Sequence, residues 1–269
     1  MLFAYIRWTS CQCFLQRAPL LHAGAGFEVG NFPTFTQFWH RKEPISSRDL
    51  SLLAKCKQLS APNSIAVDVG ANLGIYSLAL AAVGYPIVFA IEPAPDTFAR
   101  LRKNLKQNPR LCAKIVTNCK AVGTYNGPIE FRVCADSPEQ SRIKISEKDS
   151  LRCAEVITVD SVTLDHLFAS GDLEIGFLKI DVEGFEYQAL TGARELLLQK
   201  RVRFVWLELI DLALHENGSS SQEVNGVLKS YGFRPCVLDN DSSDLRPCTL
   251  EHALATSGTE RSVLFARDR

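Results

Sequence analysis

The chain is short of several things, and each shortage removes a class of protein. Its charge is balanced, 30 basic residues against 30 acidic, for a formal net charge of zero. A balanced chain has no broad electrostatic footprint for nucleic acid or anionic lipid, so no nucleic-acid partner is expected. No apolar run reaches transmembrane length; Leu2 to Ile6 is short and ends at Arg7. There are nine cysteines but no C-x-x-C pair, which leaves no zinc framework and no metal ligands to name. Their scatter reads instead as small buried hydrophobes in a reducing compartment. No internal repeat, heptad or low-complexity tract is present. The 269 residues therefore suit one α/β domain with additions, or two small domains.

Acids are missing from residues 1–26, where Arg7 and Arg17 accompany aromatics, Ser and Cys; the first acid is Glu28. That bias fits an organelle transit segment and equally an ordinary N-terminal extension. The expected location is intracellular, cytoplasmic or organellar. Residues 27–60 form an aromatic and helical addition: Phe27, Phe32, Phe35, Phe38 and Trp39 precede a helix start at Ser46-Ser-Arg-Asp49. Residues 61–269 form the main domain.

What is present centres on Ile65-Ala-Val-Asp-Val-Gly-Ala-Asn-Leu-Gly-Ile75. A short apolar run, Ile65 to Val69, reads as a buried parallel strand. A loop with Gly70 and Gly74 follows, then a helix with Ile75, Leu78 and Ala79 on one face. Strand, Gly-rich loop and helix open a nucleotide-binding α/β domain. The loop has two glycines and not the three of G-x-G-x-x-G, and Asp68 stands just before it. A carboxylate there would repel a pyrophosphate and attract an ammonium group. S-adenosyl-L-methionine, with an α-amino group, a sulfonium and no phosphate, suits it better than a dinucleotide. A second apolar run, Ile87 to Ile91, ends in Glu92, where an acid can take both ribose hydroxyls.

Further along, Phe177 to Ile180 and Phe204 to Leu207 read as buried strands closing on Asp181 and Glu208. Acids thus end four core strands: Asp68, Glu92, Asp181 and Glu208. In a βαβ architecture all four face one edge, which implies a single crevice. Glu183 lies two residues past Asp181, and His215 is expected in a loop beyond Glu208. Lys114 to Val122 should hold a third strand, Ile115 to Cys119, with Lys120, Ala121 and Val122 at its end, near the adenine. Phe233 to Leu238 and Ser262 to Phe265 are expected to pair as a terminal antiparallel hairpin across a loop-like segment, Asp239 to Gly258.

Val67-Asp-Val-Gly-Ala-Asn-Leu-Gly74, Ile91-Glu-Pro93, Thr163-Leu-Asp165 and Leu178-Lys-Ile-Asp-Val-Glu-Gly184 resemble, in order and approximate spacing, the successive motifs of the FkbM family of S-adenosylmethionine-dependent methyltransferases. The resemblance runs from Ile65 to Tyr231. It implies a class I methyltransferase (Rossmann-like) fold: seven strands, mainly parallel, helices on both faces and a C-terminal antiparallel hairpin. It implies methyl transfer to oxygen, commonly on a sugar, lipid or natural-product acceptor, so the expected partner is a small-molecule or glycan acceptor. It also implies that Asp68, Gly70, Asn72 and Gly74 line the methionine side of the cofactor and Glu92 its ribose; Ala71 and Pro93 beside them, and Ala121 at its strand end, are expected in the same cofactor site.

A hydroxyl acceptor gains from a general base. Asp181, Glu183, Glu208 and His215 are the candidates, with Asp181 or Glu183 first. Asp181 could instead hold the cofactor, and Glu183 could cap the helix after it. Two other classes remain open: a silent cofactor-binding protein with the same fold, and a nicotinamide oxidoreductase.

Overall fold

Residues 21–23, 26–29, 45–134, 142–143, 154–239, 242–257 and 261–267 are described in a computed structural model of the protein. The strands are β1 (Leu21–Ala23), β2 (Phe27–Val29), β3 (Ile65–Val69), β4 (Val88–Ile91), β5 (Ile115–Asn118), β6 (Ala121–Val122), β7 (Gly127–Cys134), β8 (Arg142–Ile143), β9 (Ala154–Val162), β10 (Ile175–Ile180), β11 (Val202–Glu208), β12 (Phe233–Leu238), β13 (Leu245–Pro247) and β14 (Ser262–Arg267). The helices are α1 (Ser47–Leu59), α2 (Ile75–Ala82), α3 (Pro95–Gln107), α4 (Pro109–Cys112), α5 (Leu164–Leu167), α6 (Glu186–Thr191), α7 (Arg194–Leu198), α8 (Asp211–Glu216), α9 (Ser221–Ser230) and α10 (Leu250–Thr256).

The main sheet has eight strands in the order β13-β12-β14-β11-β10-β3-β4-β5. β11, β10, β3, β4 and β5 pair in parallel, and the rest pair antiparallel. From β3 the chain builds outward to β4 and β5, then returns to β10 on the other side. The order reverses between β3 and β10, and the crevice at that switch point is where open α/β sheets bind ligands.

Period-two alternation divides the strands between two apolar layers. Val67, Leu178 and Val205 face a layer with Leu164, Leu190, Leu196, Leu214 and Leu228 from α5 to α9. Ala66, Phe177 and Phe204 face the other, with Leu53, Leu78 and Leu101 from α1, α2 and α3. Phe27 and Val29 of β2 join that second layer, so the segment before residue 60 shares the core of the sheet. Asn108 fixes β2 there: its side chain accepts from Glu28 N (2.9 Å) and donates to Glu28 O (2.7 Å). Phe32, Phe35, Phe38 and Trp39 lie outside the described residues, as do residues 1–20.

Three expectations need correcting. The main sheet has eight strands and not seven. The additional one, Leu245-Arg-Pro247, lies in the segment read as a loop, and α10 follows it there. A three-residue edge strand ending in proline carries no alternation to read. β12 and β14 do pair antiparallel, but β13 and α10 come between them, so they are not a simple hairpin. The third strand falls where expected, at Ile115–Asn118, but Ala121 and Val122 do not lie at its end. β5 ends at Asn118, and β6 belongs to a separate four-stranded sheet, β6-β9-β7-β8. Among the described residues no helix is long and apolar enough to cross a membrane.

Candidate active site

β3 ends in a loop whose backbone is unusual at each turn. Gly70, Asn72 and Gly74 have φ of 74°, 48° and 83°. Gly70 has no substitute, because a Cβ there would stand 1.8 Å from the Asp181 carbonyl oxygen. The loop thus lies directly on the chain leaving β10. Four of its amides are committed inside the protein. Those of Gly70 and Ala71 donate to Ile91 O, that of Gly74 to Ala71 O, and that of Asn72 to Glu92 Oε2 at 2.9 Å.

Glu92 is the clamp. It follows β4, is almost wholly buried, and accepts from the Asn72 and Ala94 amides, one on each oxygen. Burial raises its pKa to about 7, against the pull of those two amides. Pro93 is half-buried beside it. Ala121, buried in β6, packs in one cluster with Ala94 and Phe185.

Asp68 is completely buried on β3, with its carboxylate on the α2 side of the sheet. Ser77 of α2 donates to its Oδ2 at 2.6 Å, and its Oδ1 has no hydrogen-bond donor. Burial raises its pKa; Lys179 and Ser77 oppose the rise. Lys179 is its register neighbour on β10, so both side chains leave the same face. The ammonium stands 3.6 Å from Asp68 Oδ1 and 2.9 Å from Asp181 Oδ2. It also lies 5.0 Å over the Tyr76 ring, which meets Trp206 edge-on at 5.1 Å. Burial works to lower the Lys179 pKa, and the carboxylates of Asp181 and Asp68 outweigh it and hold it above the ordinary lysine value.

Asp181, Glu183 and Glu208 bring carboxylate oxygens within 4.8 Å of one another, all half-buried. Acid clusters of this kind are common without an ion, and Lys179 already sets a positive charge against this one; we assign no metal here. Burial, then the charges of Asp181, Glu183 and Glu186, raise the Glu208 pKa to about 9. Glu183 itself sits at φ 56°. The turn between β10 and α6 is tied by Glu186, whose Oε1 accepts from the Val182 and Gly184 amides at 3.0 and 3.2 Å; α6 itself has no side-chain cap. The expected loop position of His215 is also corrected: it is exposed in the last turn of α8, within electrostatic reach of Asp211 and outside the acid cluster. α8 has a single buried side chain, Leu214, so it shows no apolar period to read.

The four strand-end acids therefore meet in one network with Lys179 at its centre. Lys179 and Glu186 received no role from sequence. The signal for Lys179 was available: a cation inside the apolar run Phe177 to Ile180 needs a buried counter-charge.

A family model, described as the methyltransferase FkbM domain, matches residues 68–235. The chain belongs to that family. Hexuronic acid methyltransferase AglP of Haloferax volcanii is 24% identical to this chain over 204 residues, covering 75% of this chain and 79% of its own. The 31-O-demethyl-FK506 methyltransferase FkbM of Streptomyces tacrolimicus is 30% identical over 200 residues, covering 64% and 73%. Against the crystal structure of methyltransferase FkbM from Methylobacillus flagellatus KT the TM-score is 0.45 at 17% identity. That match covers 76% of this chain and 43% of the other.

Proposed function

We propose that this FkbM-family chain is an S-adenosyl-L-methionine-dependent methyltransferase acting on a hydroxyl of a sugar, lipid or natural-product acceptor. The observation that carries the reading is the convergence of Asp68, Glu92, Asp181 and Glu208 at the switch point. The residues fit the cofactor. Asp68 keeps a buried oxygen without a hydrogen-bond donor, suited to attracting an ammonium group. The loop's engaged amides and the acids beneath it leave little to cradle a pyrophosphate, which weighs against a nicotinamide cofactor.

When bound, S-adenosylmethionine supplies a methyl group already activated on a sulfonium. The protein then has to align an acceptor, exclude water and remove one proton. Asp68 and the Gly70–Gly74 loop hold the methionine end. Glu92 accepts the ribose hydroxyls on lone pairs that its two amides leave free. Asp181 is our assignment for the base, with Glu183 beside it. Glu208 is the poorer choice, because burial and the neighbouring carboxylates favour its protonated form. His215 would have to act from its exposed position on α8.

Full-length protein incubated with methyl-labelled cofactor and a panel of hexoses, hexuronic acids and hydroxylated macrolides should label at least one acceptor. Asp181→Ala should lower that turnover at least about a hundredfold. Normal turnover in both Asp181→Ala and Glu183→Ala would remove the base assignment. Cofactor binding without transfer across broad panels would favour a silent fold.

A further inference from the structure

A buried ion pair contributes little net stability, and apolar residues of similar volume often serve a fold as well. Lys179 nevertheless stands at the switch point, unequally shared. Its ammonium is within hydrogen-bond distance of Asp181 Oδ2 at 2.9 Å, but 3.6 Å from Asp68 Oδ1, which has no other donor. The arrangement has two natural positions for one charge. The groups facing the ammonium are Asp68 on β3, Asp181 just past β10, Glu208 on β11, Glu92 past β4 and the Tyr76 ring on α2. Tyr76 is itself held, its hydroxyl donating to Asp49 Oδ2 at 3.2 Å. The ring supplies a floor along which the ammonium can shift between carboxylates without losing its cation–π contact.

Building on the methyltransferase reading, we propose that Lys179 is a positioning residue that couples the two halves of the crevice, trading between Asp181 on the acceptor side and Asp68 on the cofactor side. A lost charge at Asp181 sends the ammonium to Asp68, where it competes with the amino group of the cofactor. The acceptor side thereby influences how tightly the cofactor is held, and by linkage the reverse.

The test is a double-mutant cycle on the full chain, read by calorimetric titration with S-adenosylmethionine alone, so that no acceptor is needed. Asp181→Asn should weaken cofactor binding about fivefold in the wild-type background and leave it unchanged in Lys179→Met. If Lys179→Met does not fold, Lys179→Arg takes its place. A guanidinium can hydrogen-bond both carboxylates at once, so Asp181→Asn should then cost less than in wild type. Additive effects in the first cycle, or an undiminished cost in the second, would overturn the coupling while wild-type binding left the methyltransferase reading in place. No binding by the folded wild type would remove both.

Discussion

Gly70 shows how one position can be fixed by its neighbour's backbone. Its positive φ alone would tolerate some residues, but the Asp181 carbonyl occupies the place of a Cβ. Gly70→Ala should therefore destabilise the protein by more than about 3 kcal/mol, measured by denaturant unfolding, or prevent its expression in folded form. Glu92 and Glu186 make a second case at this scale. Both are buried and both have pKa values raised from 4.5 to about 7. For an acid raised in the folded state, the stabilising contribution is fully present below the unfolded value and is lost as pH rises through the folded one. The melting temperature should therefore fall as pH rises from 4.5 through about 7, with Glu208, raised to about 9, extending the fall above neutrality. Glu186→Gln keeps an acceptor for the Val182 and Gly184 amides and removes one titration. Its melting temperature should fall less steeply over the same range, and an unchanged slope would show that Glu186 does not titrate there.

Secondary-structure elements in this chain are held by residues distant in sequence. Asp165 accepts the Glu195 and Leu196 amides at 3.0 and 2.9 Å, so the N-terminus of α7 is capped from α5. Thr163, in the same motif, caps α5 itself through the His166 amide at 3.1 Å. The Thr163-Leu-Asp165 motif is thus explained as structural. Asp165→Ala should cost about 1–2 kcal/mol in unfolding and leave cofactor affinity unchanged. A large change in affinity would instead place Asp165 in the site. The same distance in sequence explains what was legible and what was not. The strands β3, β4, β10 and β11 could be read because parallel strands buried on both faces are continuous apolar runs, and each closes on an acid. The partner of Lys179 could not be read, because Asp68 lies 111 positions earlier and meets it only through the β3–β10 register. α8 and β13 were hidden by having too few buried side chains to show a period.

Across the described residues, the sheet order brings acids from separate strands into one place and sets Lys179 among them. Five strands pair in parallel, and their order reverses between β3 and β10, where the acids meet. The family match begins at Asp68, the first acid of the network, and runs through all the others. The second sheet, β6 to β9, adjoins the segment after Glu92 through Ala121, which shares a cluster with Ala94 and Phe185. The proposed binding of S-adenosylmethionine among these acids is measured by calorimetric titration of the full chain and of Glu92→Ala. Saturable binding by the wild type, weakened at least about tenfold in the mutant, is the predicted result. Absence of binding by folded wild-type protein, or equal affinity in Glu92→Ala, would contradict it.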